Sequence, residues 1–142
     1  MAKEIPSQYW LLKVEPSDYP FSKMKDDGKT TWNGIHNHQA QNYLKSMKCG
    51  DLAFYYHTEK EKAIVGIVKI VKEFYHNTDP KFGEVDVEYV RPLEYPVTLK
   101  MLKESTDLQS LTILKQPRLS VSSITSQQWD VIIELSNEKP IE

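Results

Sequence analysis

Apolar residues in the first 36 positions are spaced as in a buried strand followed by a short helix. Gln8–Val14 is a short run rich in aromatic and aliphatic side chains, which is typical of a buried strand. Pro16 disfavours further ladder pairing and ends the strand. A short helix is predicted over Phe21–Lys25, and Gly28 stops it.

A second helix is predicted over Asn37–Met47. Its apolar residues recur at the i, i+3, i+4, i+7 spacing of one helix face. These residues are Ala40, Tyr43, Leu44 and Met47. Asn37 is a favourable N-cap, and Gly50 lies just past the predicted end.

After residue 51 the pattern becomes mainly that of strands. Strands are predicted over Leu52–Tyr56, Ala63–Val71 and Glu84–Val90, with a short closing strand over Leu119–Val121. Helices are predicted over Val97–Glu104 and Ser126–Leu135, and residues 59–62 form a solvated hairpin tip. About five strands with helices inserted at their ends predict a small, barrel-like α+β domain.

Composition supports a single globular domain. The chain has 142 residues, of which 39% are hydrophobic, and its prolines and glycines are scattered rather than clustered into a linker. No apolar run approaches the roughly 20 residues that span a bilayer, and the polar N-terminus does not resemble a secretory signal. Cys49 is the only cysteine, so a reducing compartment is expected. These features predict a cytoplasmic protein, or a nuclear one in a eukaryotic source.

Charge limits how this chain can bind a polyanion. A formal net charge of -2 excludes a protein covered in positive charge. Residues 1–50 carry seven basic and five acidic side chains, whereas residues 81–142 carry seven and ten. Arg91 and Arg118 are the only arginines, so few bidentate phosphate contacts are available. Any contact with nucleic acid is therefore expected to be local and to lie on the N-terminal half.

The segment Thr31–Gln39 contains the parts of a base-binding pocket. Trp32 offers a flat face for stacking, and the neighbouring amides offer donors and acceptors for a base edge. Gly34 would allow close backbone approach, and a helix N-terminus follows at Asn37. The alternative is that Trp32 is a core aromatic and the amides form turns and caps.

Two further groups of residues have both a ligand-binding and a structural interpretation. Lys13 and Glu15 are two apart, so they share a face that is either a ligand-binding interior or an exposed strand end. Of Tyr55 and Tyr56, which alternate along a strand, one is expected in the core and the other at a second pocket wall. The four histidines lack the spacing of a metal site, so neither a metal nor another cofactor is predicted.

Several motifs in order resemble the EVE domain family. They begin with YWLLKVEPSDY from Tyr9 and WNGIHNHQAQN from Trp32. They continue with MKCGDL from Met47, FYYHT from Phe54, IVGI from Ile64, PVTL from Pro96 and RLSV from Arg118. The similarity runs from about Tyr9 to Leu135 and predicts a single domain over residues 1–142, with a core over about 8–136 and short flexible termini.

The resemblance implies a PUA-like fold, which is a pseudo-β-barrel of five to six mostly antiparallel strands with peripheral helices, related to YTH readers of methylated adenine. It also implies a non-catalytic reader that holds a modified, flipped base of DNA or RNA, such as a methylated or hydroxymethylated cytosine, in an aromatic pocket. We expect a monomer that binds nucleic acid and no membrane. By this resemblance the base-binding residues are Trp32, Asn33, Gly34, Lys13, Glu15, Ser17, Tyr56, His57, Asn37 and Gln39.

The chain departs from the family pattern at two positions. His36 and Gln41 stand where the family usually has arginine, which removes fixed positive charge beside the expected pocket. We therefore expect weaker contact with the phosphate backbone. The alternative function is hydrolysis of an acylated or otherwise modified nucleoside, as in ASCH-type relatives, with Lys13 paired to Glu15 or Glu73.

Overall fold

Six strands form one sheet in this computed structural model, which describes residues 8–139. In chain order they are β1 (Tyr9–Val14), β2 (Lys29–Trp32), β3 (Leu52–His57), β4 (Ala63–Tyr75), β5 (Glu84–Thr98) and β6 (Val121–Ile124). They lie side by side in the order β2-β5-β4-β3-β1-β6. β1 runs parallel to β3, and the other neighbouring pairs are antiparallel. Residues 1–7 and 140–142 lie outside the described residues, so the flexible termini stay a prediction.

The two longest strands bend the sheet. β4 has 13 residues and β5 has 15, and their pairing shifts register at several points between Ile64 and Tyr75. Such irregularities bend a strand and increase its twist. The expected α+β fold, a PUA-like pseudo-barrel, is confirmed.

The described residues also form five α-helices and one short 3₁₀ helix, Thr106–Leu108. The α-helices are α1 (Phe21–Asp27), α2 (His38–Ser46), α3 (Leu99–Glu104), α4 (Thr112–Lys115) and α5 (Ser126–Asn137). Asn37 caps α2, as predicted, because its side chain accepts a hydrogen bond from the Ala40 amide. Thr125 caps α5 in the same way through the Gln128 amide. None of the helices within 8–139 is long and apolar enough to cross a membrane.

Two groups of buried side chains alternate along the strands. The first core contains Leu12, Tyr55 and Trp32, with α1 and α2 packed on it. The second core contains Leu11 and Tyr56, with α5 packed on it through Trp129. Because successive residues of a strand point to opposite faces, Leu11 and Leu12 belong to different cores, as do Tyr55 and Tyr56.

Several element predictions differ from the structure: the 3₁₀ helix and α4 were not predicted, β4 and β5 extend beyond their predicted ends, and β2, α3 and β6 differ as follows. β2 was not predicted as a strand, because four residues ending in a polar loop carry too little alternation. The helix predicted from Val97 begins at Leu99, since β5 continues through Thr98 and pairs with Ala63. The closing strand lies at Val121–Ile124 rather than Leu119–Val121.

Candidate functional site

A cleft of about 420 Å³ opens where β1 and β2 end. Val14 is the last residue of β1, and Trp32 is the last residue of β2. The loop from β1 to α1 supplies one wall, and β2 with the residue after it supplies the other. The lining residues are Val14, Asp18, Tyr19, Thr30, Thr31, Trp32 and Asn33.

Trp32 is both a core residue and a wall of this cleft. Its exposed fraction is only 7%, and it belongs to the first core. Its ring meets Tyr55 edge-on, with the ring centres 5.5 Å apart. The β2–β5 pairing, in which Trp32 lies opposite Val85, fixes its position. The core interpretation of Trp32 is therefore confirmed, and the same side chain also borders the cleft.

A partly buried hydrogen bond from Tyr55 holds the opposite wall. The Tyr55 hydroxyl donates to the carbonyl oxygen of Tyr19 at 2.5 Å. Burial raises the pKa of Tyr55 far above its usual range, so this hydroxyl stays a donor at physiological pH. Tyr55 thus braces the Tyr19 side of the cleft and packs against the Trp32 side.

His57 connects the end of β3 to the start of α1. Its Nε2 accepts a hydrogen bond from the Phe21 amide at 3.0 Å. The ring proton is therefore on Nδ1, which lies 2.8 Å from a carboxylate oxygen of Glu61. Both ring nitrogens have partners within the protein, so His57 positions the loop before α1 rather than lining the cleft.

Glu15 and Ser17 lie on the exposed outer side of the same loop. The Glu15 carbonyl accepts from the Asp18 and Tyr19 amides at 2.9 and 3.0 Å and turns the chain toward the cleft. The Ser17 hydroxyl donates to Glu59 at 2.7 Å, and its amide donates to the same oxygen at 3.1 Å. These two bonds lower the pKa of Glu59. They fasten the loop to the turn between β3 and β4.

Lys13 and Tyr56 lie on the other face of the sheet from Trp32. They are register partners across β1 and β3, and the Lys13 ammonium sits 5.8 Å from the centre of the Tyr56 ring. Tyr56 is buried in the second core, and Lys13 donates to the Pro117 carbonyl. Burial lowers the pKa of Lys13. The structure therefore separates these two predicted site residues from the cleft.

Of the remaining predicted residues, which follow Trp32 in the chain, Asn33 lines this cleft, Asn37 and Gln39 line another, and Gly34 is not among the lining residues of either. Asn33 is exposed and lines the first cleft. Gly34 has a φ of 75°, a conformation that favours glycine, and turns the chain toward α2. Asn37 and Gln39 line a separate cleft of about 350 Å³ that also includes Arg118.

Gln41 does not face solvent, which corrects the expectation for that position. Its exposed fraction is 4%. The side-chain amide donates to the carbonyls of Ile35 and Gly83 at 2.8 and 3.0 Å and accepts from the Gly83 amide at 3.0 Å. An arginine here would thus enter a buried backbone contact rather than reach a phosphate. His36, in contrast, is exposed and lies against Phe82.

Sequence reasoning assigned no binding role to several lining residues, among them Thr30 and Thr31, although Thr31 begins the segment that it singled out. Both belong to β2, whose strand character was missed. The Thr31 hydroxyl donates to Asp86 at 3.0 Å, and the Tyr75 hydroxyl donates to the same oxygen at 2.6 Å. The bond to Asp86 raises the pKa of Tyr75. The β2–β5 pairing, in which Thr31 lies opposite Asp86, brings Thr30 and Thr31 to the cleft. Among the described residues, no group of His, Cys, Asp and Glu side chains is arranged to hold a metal ion.

Comparisons with known proteins agree on one family. The EVE domain model matches residues 8–135. Thymocyte nuclear protein 1 of Mus musculus is 36% identical, with 94% of this chain and 76% of that protein covered. The solution structure of Rpa0253 from Rhodopseudomonas palustris is 37% identical, with a TM-score of 0.88 over 92% of this chain and 93% of the other.

Two solved structures in complex with nucleic acid are also similar. Human THYN1 in complex with 5-methylcytosine-containing DNA is 30% identical, with a TM-score of 0.88 over 94% of this chain and 100% of that one. The YTH domain of Zygosaccharomyces rouxii MRB1, in complex with N6-methyladenosine RNA, is 12% identical with a TM-score of 0.59 and shares the fold alone. The superposition covers 95% of this chain and 91% of the YTH domain chain. This chain therefore belongs to the EVE domain family.

Proposed function

We propose that this protein is a non-catalytic reader that binds one modified base of a nucleic acid in the cleft beside Trp32. The observation that carries the proposal is a cleft of base-accommodating size, about 420 Å³, with an indole in its wall. Its support from comparison is the family relative, human THYN1, whose structure is in complex with 5-methylcytosine-containing DNA. Methylated or hydroxymethylated cytosine is the substrate class that fits best.

The cleft offers a partner for each part of such a base. Trp32 gives an aromatic surface for the ring. The Asp18 carboxylate and the Asn33 amide are acceptors suited to the exocyclic amino group of cytosine. Val14 is the apolar lining residue against which a methyl group would lie. We assign direct contact to Trp32 and Asn33, and a supporting role to Gly34, Glu15, Ser17 and His57.

The hydrolase alternative receives no support from the position of Lys13. A lysine acting as nucleophile or base needs a carboxylate within hydrogen-bond reach. In the part of the chain that the structure describes, Lys13 forms no salt bridge, and its ammonium instead donates to the Pro117 carbonyl. Glu73 accepts from the Cys49 amide, and Glu15 is exposed.

The test is a binding panel of short single-stranded oligonucleotides that carry cytosine, 5-methylcytosine or 5-hydroxymethylcytosine at one central position. We expect the wild-type protein to prefer a modified oligonucleotide. Asn33→Ala should weaken that binding by about 1–3 kcal/mol, since it removes a hydrogen-bonding group from the cleft. Asn137→Ala, an exposed change at the end of α5, is the matched control and should have no effect.

Trp32 needs a conservative substitution. Trp32→Ala would open a core cavity and reduce the free energy of unfolding by about 3–5 kcal/mol, which confuses folding with binding. Trp32→Phe keeps an aromatic ring and isolates the loss of stacking area. A wild-type protein without preference for any modified base, or an Asn33→Ala variant that binds like the Asn137→Ala control, would contradict the proposed function.

A further inference from the structure

A second aromatic surface lies where the loop between β4 and β5 meets the start of α2. We call Phe82, His36, His38 and Lys81 the Phe82 surface. The Phe82 ring centre is 4.9 Å from that of His36 and 5.9 Å from that of His38. The Lys81 ammonium sits 5.2 Å from the centre of the Phe82 ring. Phe82 is half-buried and the other three side chains are exposed, so a flat hydrophobic face is surrounded by polar and cationic groups.

Hydrogen bonds from the Gln41 and Asp79 side chains hold this surface in place. Gln41 bonds to both backbone groups of Gly83, the residue after Phe82, and to the carbonyl of Ile35, the residue before His36. The Asp79 carboxylate accepts from the amides of Lys81 and Phe82 at 2.8 and 3.3 Å. One buried amide thus ties both sides of the Phe82 surface to α2. Such fixed positions reduce the ordering cost of binding.

The Phe82 surface lies close to the cleft along the chain. His36 follows Trp32 by four residues, a span of at most about 14 Å even when the chain is fully extended. Asn33, in the same segment, lines the cleft. A nucleic acid whose base enters the cleft therefore has its neighbouring nucleotides within reach of Phe82.

We propose that the Phe82 surface stacks a base that flanks the one captured in the cleft, an inference that rests on the proposed function. Base stacking on an aromatic side chain tolerates any sequence because every base has a π-face. Lys81 and the two histidines would donate to the phosphates on either side of the stacked base. This arrangement lets a protein of net charge -2 bind the nucleic acid through a few local contacts, without a broad basic surface.

The test measures whether Phe82 and one neighbouring base act together. The probe is a single-stranded DNA oligonucleotide with one central 5-methylcytosine, made intact and with an abasic position on either side of it. Removing the base on one side should weaken binding to the wild-type protein by about fivefold or more, which is the lower end of the range for one stacked base. Phe82→Leu, which keeps apolar volume but removes the flat face, should weaken binding to the intact probe by a similar factor. Phe82→Trp should preserve it.

The decisive measurement combines the Phe82→Leu variant with the abasic probe. In Phe82→Leu the same abasic position should cause no further loss, and binding of free 5-methylcytidine should be unchanged. Three results would each contradict stacking on the Phe82 surface. The first is that Phe82→Leu and the abasic position weaken binding independently, and the second is that Phe82→Leu weakens binding of free 5-methylcytidine as much as binding of the probe. The third is that the abasic probes bind the wild-type protein like the intact probe. The wild-type measurement with abasic probes does not depend on any variant folding.

The proposed function has a separate outcome. If Asn33→Ala weakens binding while Phe82→Leu and the abasic probes have no effect, the cleft stands and the Phe82 surface is rejected. If Phe82→Leu weakens binding equally for modified and unmodified probes and Asn33→Ala has no effect, capture in the cleft is rejected, and the flanking position with it.

Discussion

At the scale of single residues, Gln41 joins two loops to α2 through one side-chain amide. Replacing it by leucine would leave the carbonyls of Ile35 and Gly83 and the amide of Gly83 without these bonds. We expect Gln41→Leu to lower the free energy of unfolding by about 1–3 kcal/mol, the usual cost of buried polar groups that lose a partner. Urea denaturation followed by tryptophan fluorescence measures this change.

The matched control is Gln39→Leu, on the same helix. Gln39 is exposed, so its substitution should change stability by less than about 0.5 kcal/mol. Equal effects of the two substitutions would show that the Gln41 amide does not hold the loops.

A second prediction at this scale concerns Glu59, whose pKa the Ser17 bonds lower. Because the pKa of Glu59 is lower in the folded protein, the Ser17–Glu59 contact contributes fully to stability at pH values above the unfolded-state pKa, near 4.5. That contribution is lost as the pH falls through the folded-state pKa. The Ser17 amide resonance should therefore titrate with a midpoint below 4.5 in an NMR pH series. Ser17→Ala should move the Glu59 midpoint back up. A Ser17 amide that does not titrate with Glu59 would rule the contact out in solution.

Residue-level inference from the sequence pointed to residues that line the cleft where composition was distinctive, and it misjudged positions where burial decided. Trp32 and Asn33 stand in a segment of unusual composition, and both line the cleft. Gln41 was expected beside the pocket, where an arginine would contact phosphate, although it precedes Leu44 by three residues and therefore shares the buried face of α2. The helical period alone carried the signal that Gln41 is buried.

At the scale of elements, the contact between α1 and β4 depends on a residue without a side chain. A Cβ built on Gly66 would lie 2.1 Å from the Phe21 ring. Phe21 cannot move away freely because it packs against Tyr55 and Tyr89, with ring centres 4.9 and 5.2 Å apart. We expect Gly66→Ala to lower the free energy of unfolding by about 1–3 kcal/mol through overpacking.

A double-mutant cycle tests the cause. Phe21→Leu shortens the side chain over Gly66, so Gly66→Ala should cost clearly less in the Phe21→Leu background than in wild type. Additive effects in thermal or urea unfolding would locate the strain elsewhere than in the α1–β4 contact.

Sequence patterns predicted most elements but not how they pair. Alternation or short apolar runs predicted β1, β3, β4 and the first half of β5. The helical spacing of its apolar residues and its N-cap predicted α2. The parallel pairing of β1 with β3 joins segments about 40 residues apart, and no local pattern records it. That pairing places Lys13 beside Tyr56 and away from Trp32, which is why the predicted site residues divide between two faces.

At the scale of the whole molecule, charge predicts how binding responds to salt. The net charge is -2 and only Arg91 and Arg118 offer planar cationic groups. We expect few released counterions, so affinity for a modified oligonucleotide should fall shallowly as salt rises. Measuring the dissociation constant across a salt series gives the slope, and a slope indicating on the order of six or more ions would contradict this prediction.

The order of the strands has a consequence for the growing chain. β1 is covered on one side by β3 and on the other by β6, where Tyr9 pairs with Ile124. The rings of Phe54 and Tyr9 stack on Trp129, whose ring centre lies 3.8 and 4.5 Å from theirs, so they also lack this partner until Trp129 has been synthesised. During synthesis at about 5–20 residues per second, the first strand therefore stays unpaired along one edge for seconds. An open strand edge invites pairing with other chains, so the nascent protein is most prone to aggregation just before residues 121–129 leave the ribosome.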